Sequence, residues 1–327
     1  MAITNGFEMV FNRRLIFGEN KVTEIPGILN WYNKKKVLFV TFSAEFDAFK
    51  KISSLLTDAG MAVVPYEVKT EPTLQIIDHG RDIYVAEGCD CTIALGGGSV
   101  VDAAKVIGML AVNGGDTEDY QMRGKAVTVE PPLFIAIPTT SGTGAEATKT
   151  SVVINNNNHL KKSLYHNTMI ADVVVLDPSL TLALPARITA ATGMDALSHA
   201  IESYVSLNAT PITEMYGLKA IELVNKYLEK EGYTETTYQN TLHPSSSQKL
   251  SLGGHNMTTV KDCGKLLERI YKGECVSKEA SEEMLNLLLN QENTTKIPEG
   301  VPEDVKTANK TGETDEEQHD IAIVYGP

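Results

Sequence analysis

The stretch Cys91-Thr92-Ile93-Ala94-Leu95, followed by Gly96-Gly97-Gly98-Ser99 and by residues 100–111, decides the fold of the N-terminal part of this chain. The residues before the glycines predict a buried strand, and the apolar segment after them predicts a helix. A glycine turn at such a junction lets the backbone approach a phosphate, and the exposed amides and positive helix end can bind that anion. Glycine turns serve close packing about as often as they bind phosphates. This turn is also not the GxGxxG dinucleotide fingerprint.

A second turn of the same kind follows the next apolar run. Residues 133–137 lead into Pro138-Thr139-Thr140-Ser141-Gly142-Thr143-Gly144-Ala145-Glu146, which contains four hydroxyl side chains and two glycines. Hydroxyls and free amides at the end of a strand suit a pyrophosphate or a ribose, whereas the alternative is an ordinary Ser/Thr turn that caps a helix. Two such turns after neighbouring strands favour a nucleotide site over the capping alternative.

Apolar runs of strand length alternate with segments of helical length as far as Pro185. This alternation predicts an α/β fold with a largely parallel sheet that is covered by helices on both faces. Beyond Pro185 the sequence predicts two helices, at 188–206 and 212–227. The predicted strands are residues 37–41, 63–66, 91–95, 133–137 and 173–176, and the helices between them include 45–59 and 74–87.

The composition is that of a globular protein with room for two domains, since 42% of its 327 residues are hydrophobic and 22% are charged. A net charge of −13, with no basic patch in the sequence, argues against a nucleic-acid partner. The longest apolar stretch, 92–112, contains charged residues and a glycine triplet, which excludes it as a membrane span. No secretory signal pattern opens the sequence, so we expect a cytoplasmic protein.

The chain changes character near residue 226. Residues 227–327 carry 10 Lys or Arg and 18 Asp or Glu, a balance of −8, whereas residues 1–226 carry 19 and 24, a balance of −5. The last third predicts a helix pair at 259–271 and 278–291, followed by two strands at 305–311 and 320–325. We therefore expect a boundary between unrelated units near residue 226.

Asp195 and His199 lie four residues apart on the predicted helix 188–206 and so face the same side. A carboxylate and an imidazole at this spacing can chelate a divalent metal such as Fe(II), Zn(II) or Mn(II). The alternatives are a surface Asp–His hydrogen bond and a core histidine with its polar atoms satisfied. Apolar neighbours such as Met194 and Leu197 would make an unpaired buried Asp195 costly, which favours a partner for it.

Residues 1–226 resemble the front part of the iron-type, NAD(P)-dependent alcohol dehydrogenases. The resemblance implies a dinucleotide-binding α/β domain at 1–185 and the truncated start of a metal-binding helical domain at 186–226. In that family a metal held by one Asp and three His polarises the oxygen of a small alcohol or aldehyde, while hydride moves between substrate and nicotinamide. The motifs that match in order and spacing are Glu71-Pro72-Thr73, 96–105, 138–146, Asp177-Pro178-Ser179-Leu180-Thr181, Leu184-Pro185 and 193–202.

The resemblance also assigns individual residues, beginning with Asp195 and His199 as the first two metal ligands. An acidic residue after the 37–41 strand favours NAD in this family, and here those positions read Phe42-Ser43, so NAD and NADP both stay open. The matches to the pyrophosphate loop are Gly97, Gly98, Ser99 and Asp102, and the matches to the second cofactor turn are Thr139, Thr140 and Ser141.

The other two metal ligands of the family have no match in this sequence. They are histidines in glycine- and histidine-rich motifs, and His243 and His255 stand in different surroundings. Two ligands leave a site for Fe(II) or Zn(II) incomplete, so the sequence predicts weak metal binding and very low turnover. The apolar faces of the helices at 188–227 should also lack packing partners, which predicts poor solubility or a homo-oligomer.

Residues 227–327 resemble the C-terminal part of class A β-lactamases and related penicillin-interacting serine hydrolases. In that family a strand with Lys-Thr-Gly, here Lys310-Thr311-Gly312, helps to bind the β-lactam carboxylate. The nucleophile motif Ser-x-x-Lys has no matching context upstream, and Ser-Asp-Asn is absent. Because no acyl-enzyme can form without a nucleophile, we predict a partial α+β segment without β-lactamase activity.

Three functions remain open from the sequence. The first is an alcohol oxidoreductase, impaired because two metal-ligand histidines are missing. The second is a β-lactamase-like serine hydrolase, which the absent nucleophile motif disfavours. The third is a non-catalytic, chimeric fusion product, and residues 220–228 could belong to a helix of either family and so contain the join.

Overall fold

The computed structural model describes residues 6–158, 160–206, 208–237, 257–275, 277–313 and 318–326. The chain divides into two compact units, Met1–Leu184 and Pro185–Pro327. Among the described residues, no helix combines the length and the apolar character that a bilayer crossing requires.

The first unit alternates strands and helices along most of its length, as the sequence predicts. Its elements are β1 (Arg14–Phe17), α1 (Ile25–Trp31), β2 (Lys36–Thr41), α2 (Asp47–Asp58), β3 (Ala62–Glu67), α3 (Leu74–Glu87), β4 (Cys91–Gly96), α4 (Gly98–Asn113), α5 (Thr117–Gln121), β5 (Phe134–Pro138), β6 (Thr150–Asn155), β7 (Leu160–Tyr165) and β8 (Val173–Leu176).

A six-stranded parallel sheet forms the centre of this unit, with the strand order β1-β8-β5-β4-β2-β3. Strand β4 is buried along its whole length, and β2 is buried from Val37 onward. Strands covered on both faces are apolar at successive positions, which is why the sequence shows them as continuous runs. The predicted α/β fold with a parallel sheet is confirmed.

The two faces of the sheet carry different helices. On one face, Phe49 and Ile52 of α2 pack in the same core as Val37, Phe39 and the helix α1. On the other face, residues of α3 and α4 pack with the alternate strand positions, such as Leu38 and Ala94. Since successive strand residues point to opposite faces, one run of apolar residues supplies both cores.

The strand order reverses between β2 and β4. The chain places β3 on one side of β2 and then returns to place β4 on the other side. Helices α2 and α4, which follow β2 and β4, therefore lie on opposite faces of the sheet. Such a reversal leaves a crevice at the carboxyl ends of the two strands, which is where ligands bind in open α/β sheets.

The sequence analysis does not predict β1 or the antiparallel β6–β7 hairpin. In β1 only Ile16 is buried, and β7 carries exposed lysines at Lys161 and Lys162. Strand β1 has a run of only three apolar residues, Leu15-Ile16-Phe17, and β7 has none, whereas the central strands are recognised by longer apolar runs.

The second unit begins with the two predicted helices, α6 (Ala186–Val205) and α7 (Pro211–Lys230). They approach closely at Gly217, where an added β-carbon would lie 2.8 Å from the carbonyl oxygen of Ala200. Helix α7 runs without a break through residue 226, where the composition changes. Six large apolar side chains are exposed on this pair: Ile188, Met194, Met215, Tyr216, Leu223 and Tyr227.

The rest of the second unit contains α8 (Val260–Lys272), α9 (Lys278–Leu289), β9 (Thr307–Glu313) and β10 (Gln318–Val324). The hydroxyls of Thr259 and Ser277 cap the two helices by accepting hydrogen bonds from first-turn amides. Strands β9 and β10 pair antiparallel as a hairpin. These four elements correspond to the helix pair and the two strands predicted for the last third.

Gly80 on α3 is a point where packing tolerates no side chain. A β-carbon there would overlap the side chain of Ile107 on α4 and lie 2.9 Å from the ring of Tyr66. We expect Gly80→Ala to lower the free energy of unfolding by about 1–3 kcal/mol, because overpacking forces neighbours out of position. Urea unfolding followed by circular dichroism measures this. The control is Gly27→Ala on α1, which has nothing within 4 Å, and equal stability of the two variants would contradict the expectation.

Candidate functional site

The two glycine- and hydroxyl-rich turns lie side by side in the folded chain. Strands β4 and β5 are neighbours in register, with Gly96 opposite Pro138. The amide of Thr139 donates a hydrogen bond of 3.0 Å to the carbonyl of Gly96, so the turns diverge from a shared point. Both therefore occupy the carboxyl edge of the sheet, with the first turn at the crevice between β2 and β4.

The first turn ends in the free N-terminus of a long helix. Gly97 is the N-cap of α4, with φ −77° and ψ −174°, and no side chain caps the first-turn amides. The segment from Gly97 to Ser99 is half-buried, so its amides can be reached from the crevice. An uncapped helix N-terminus with accessible amides has the geometry and positive potential that bind an anion.

The second turn lies close to the two glycines, and a side chain would be crowded at Gly98 but would make an ordinary contact at Gly97. A β-carbon on Gly97 would lie 3.4 Å from Cγ2 of Thr140, and one on Gly98 would lie 3.0 Å from Cγ2 and 3.1 Å from Oγ1 of Thr143. The hydroxyl-bearing residues of the second turn thus lie against the glycine backbone of the first. The two turns therefore bring backbone amides and hydroxyl side chains close together.

The three predicted residues of the second turn differ in exposure. Thr139 is buried beside β4, Thr140 is half-buried and Ser141 is exposed. Thr140 and Ser141 are therefore available to a ligand, whereas Thr139 anchors the turn to its neighbour. Thr143, which the sequence motif alone does not single out, packs against Gly98.

Asp102 lies one helical turn beyond the glycines on α4, and its carboxylate interacts with other residues of the protein. Its Oδ2 atom accepts a hydrogen bond of 3.0 Å from the amide of Val152, and its Oδ1 atom lies 3.6 Å from Nζ of Lys105. Burial raises the pKa of the Asp102 carboxyl, while the neighbouring Lys105 lowers it. The structure therefore brings Asp102 to the β6–β7 hairpin.

Phe42 and Ser43 follow β2 on the other side of the crevice. The Phe42 ring is partly exposed and lies 4.9 Å from the ring of Phe46. The nearby carboxylate of Glu67 is occupied by the amide of Ala44 at 2.8 Å and by Lys69 at 2.7 Å. This corner presents an aromatic ring at the position where an acidic residue favours NAD in the resembled family.

Asp195 and His199 lie together on α6, with 3.5 Å between Oδ1 and Nε2. Their side chains are 42% and 57% exposed, so the burial expected from their apolar neighbours is not seen. The reason is that α6 is uncovered on this side, where Met194 is exposed as well. Across the described residues, no three side chains of metal-binding type come together, and His243 and His255 lie outside those residues.

Lys310, Thr311 and Gly312 lie on β9, with Thr311 paired to Asp320 of β10. The Lys310 ammonium donates to the carbonyl of Thr311, and Thr311 is buried. The Asp320 carboxylate accepts hydrogen bonds from the amide of Ile297 and from the Asn309 side chain. The predicted Lys-Thr-Gly motif is therefore on a strand, as in the resembled hydrolases, with its polar groups engaged locally.

Two family models match separate parts of the chain. The model described as iron-containing alcohol dehydrogenase matches residues 12–178, and the model described as beta-lactamase enzyme family matches residues 213–327. The second match begins inside α7, the helix that also contains residue 226. Asp195 and His199 lie beyond the first match, and Lys310 lies within the second.

Individual relatives match the front of the chain. The chain is 36% identical over 220 residues to an NAD-dependent methanol dehydrogenase of Bacillus methanolicus, covering 66% of this chain and 57% of that protein. It is 38% identical over 218 residues to alcohol dehydrogenase 4 of Schizosaccharomyces pombe, covering 66% and 51%. The chain thus spans little more than half the length of these relatives.

Solved structures show the same fold. A 1,3-propanediol oxidoreductase superposes with a TM-score of 0.65 at 32% identity, covering 69% of this chain and 60% of that one. A sulfoacetaldehyde reductase from Bifidobacterium kashiwanohense, solved in complex with NAD+, gives 0.64 at 30% identity, covering 68% and 60%. Because the model for iron-containing alcohol dehydrogenases matches 167 of the 327 residues, the chain belongs to that family.

Proposed function

We propose that residues 1–185 form a nicotinamide dinucleotide-binding domain whose site is the paired turns after β4 and β5. The observation that carries this proposal is the contact between the bare backbone of Gly97 and Gly98 and the side chains of Thr140 and Thr143. This contact creates an amide- and hydroxyl-lined surface at the N-terminus of α4, beside the crevice where the strand order reverses.

The roles of the residues follow from their positions. Amides of Gly97, Gly98 and Ser99 face the pyrophosphate, and Thr140 and Ser141 offer hydroxyls from the second turn, which Thr139 anchors. Asp102 is proposed as part of the same site, because it lies on α4 just after these residues. The bound cofactor supplies hydride exchange with an alcohol or aldehyde. Both NAD and NADP are proposed ligands, because no acidic residue follows β2 where Phe42 and Ser43 stand.

Residues 186–226 are proposed to be the start of a metal-binding helical domain. Asp195 and His199 supply two of the ligands that such a domain requires, and they lie on an exposed helix face. Two exposed donors do not fit a closed site for Fe(II) or Zn(II), which takes about four protein or substrate ligands. We therefore infer that alcohol oxidation by this chain is impaired.

Residues 227–327 are proposed to be a partial β-lactamase-like segment in a non-catalytic, chimeric chain. Two different family models that match separate parts of the chain, residues 12–178 and 213–327, support this proposal. The β-lactamase-like serine hydrolase is the alternative, favoured by Lys310, Thr311 and Gly312 on a strand and opposed by the missing Ser-x-x-Lys context. The exposed apolar residues of α6 and α7 support a homo-oligomer, and the protein is proposed to be cytoplasmic.

Titration with NADH and with NADPH, followed by cofactor fluorescence, tests the proposed site. We expect saturable binding of at least one of them. In Gly98→Val the dissociation constant should rise about tenfold or more, equivalent to about 1.4 kcal/mol, because the new side chain would collide with Thr143. Gly27→Ala serves as the control and should bind as the wild type does. Failure of the wild type to bind either cofactor would overturn the proposal.

Metal binding tests the incomplete site. Titration calorimetry with Zn(II), and with Fe(II) under nitrogen, should show weak binding that Asp195→Ala/His199→Ala reduces, since two ligands hold a metal poorly. His79→Ala, which removes another exposed histidine, controls for adventitious binding and should change nothing. Tight binding of one equivalent, or rapid alcohol-dependent reduction of NAD, would contradict the inferred impairment.

A chromogenic cephalosporin tests the alternative function. We expect the pure protein to hydrolyse it no faster than buffer, because no nucleophile motif accompanies Lys310. Lys310→Ala should leave this background rate unchanged. Hydrolysis that exceeds background and falls in Lys310→Ala would instead establish the hydrolase.

A further inference from the structure

Lys105 is a buried charged residue that the proposed roles leave unexplained. It lies on α4 among buried apolar residues such as Ala104 and Val106, and its side chain has 0% of its surface exposed. Burial lowers the pKa of its ammonium to about 8. Since desolvating an ammonium is costly, the position calls for specific compensating contacts.

Those contacts all lead to one segment of chain. Nζ of Lys105 donates a hydrogen bond of 2.6 Å to the carbonyl of Thr150 and one of 3.2 Å to the hydroxyl of Thr148. Asp102, one turn earlier on α4, accepts from the amide of Val152 at 3.0 Å with its carboxylate and from the hydroxyl of Ser151 at 2.9 Å with its carbonyl. Residues 148–152 join the second cofactor turn to β6.

From this segment a short series of hydrogen bonds reaches the glycine turn. The Thr148 hydroxyl donates to the carbonyl of Ala145 at 3.2 Å, and the amide of Ala145 donates to the hydroxyl of Thr143 at 3.3 Å. Thr143 in turn lies against the backbone of Gly98. These hydrogen bonds therefore fix the second cofactor turn at its C-terminal end, which leads to β6, whereas its N-terminal end is fixed by β5.

We propose that Asp102 and Lys105 are positioning residues, a buried clamp on α4 that fixes the second cofactor turn against Gly97 and Gly98. This inference rests on the proposed dinucleotide site and gives Asp102 an indirect role there. Its carboxylate is turned to Val152 and Lys105, so it orders the hydroxyl turn and does not contact phosphate. Helix α4 thus has two roles. Its N-terminal amides face the ligand, and Asp102 and Lys105, further along the helix, hold the second cofactor turn in place.

The test separates positioning from stability in the full-length chain. Lys105→Met keeps the length of the side chain and removes its donors. Thr148→Val removes only the intermediate hydroxyl. We expect both variants to raise the dissociation constant of NADH about tenfold, as loss of a hydrogen bond to a charged group would. Deuterium exchange in the free protein should accelerate in residues 139–152 and stay unchanged in β2. The midpoint of thermal unfolding should change little in Thr148→Val, which leaves the Asp102–Lys105 pair intact, and should fall in Lys105→Met, because Asp102 then loses its buried partner.

Lys36→Met is the matched control, because Lys36 is the first residue of β2 and lies at the amino ends of the strands, away from the candidate site at their carboxyl ends. It should keep the wild-type affinity and exchange. Unchanged exchange in residues 139–152 of both test variants would overturn the clamp. Exchange in Thr148→Val that is faster throughout the chain, together with a lower unfolding midpoint, would overturn it as well. The exchange measurement needs no cofactor. It therefore tests the clamp even if the wild type binds neither NADH nor NADPH. Such a failure to bind would contradict the proposed function and not the clamp.

Discussion

The close approach of two turns at the carboxyl edge of one parallel sheet is the constraint on which the candidate site depends. A β-carbon on Gly98 would lie 3.0 Å from Thr143, so little room is left for a side chain between α4 and the hydroxyl turn at this position. The approach is possible only because β4 and β5 are neighbours in register and because α2 and α4 lie on opposite faces. The contact of Gly97 and Gly98 with the hydroxyl turn therefore depends both on the glycine motif in the sequence and on the order of the strands in the sheet.

The parts of the fold that the sequence predicted are those with strong local patterns. Strands buried on both faces read as apolar runs, and α3 spans the residues predicted for it, Leu74–Glu87. The β6–β7 hairpin has an apolar run of only three residues, Val152-Val153-Ile154. Lys161 and Lys162 on β7 are exposed, and the hairpin docks through the distant Asp102. The glycines and hydroxyls of the site could be read from motifs. The contacts of Lys105 could not, because they join α4 to a segment more than forty residues away.

In the second unit, the predicted metal-binding pair is close together but not buried. Asp195 and His199 face one side of a helix, as their spacing requires, yet that side stays exposed together with Met194. Their spacing predicted proximity, but burial and further ligands depend on parts of the fold that spacing does not encode. The two family models lie on either side of the start of α7, and that helix is continuous through the change in composition.

A crystal structure of the chain grown with NADH would test the central claim, that the paired turns bind a dinucleotide, most directly. The expected result is electron density for a pyrophosphate within hydrogen-bond distance of the amides of Gly98 and Ser99, with Thr140 or Ser141 on its other side. Density at another place, or none at a cofactor concentration that saturates binding in solution, would contradict the claim.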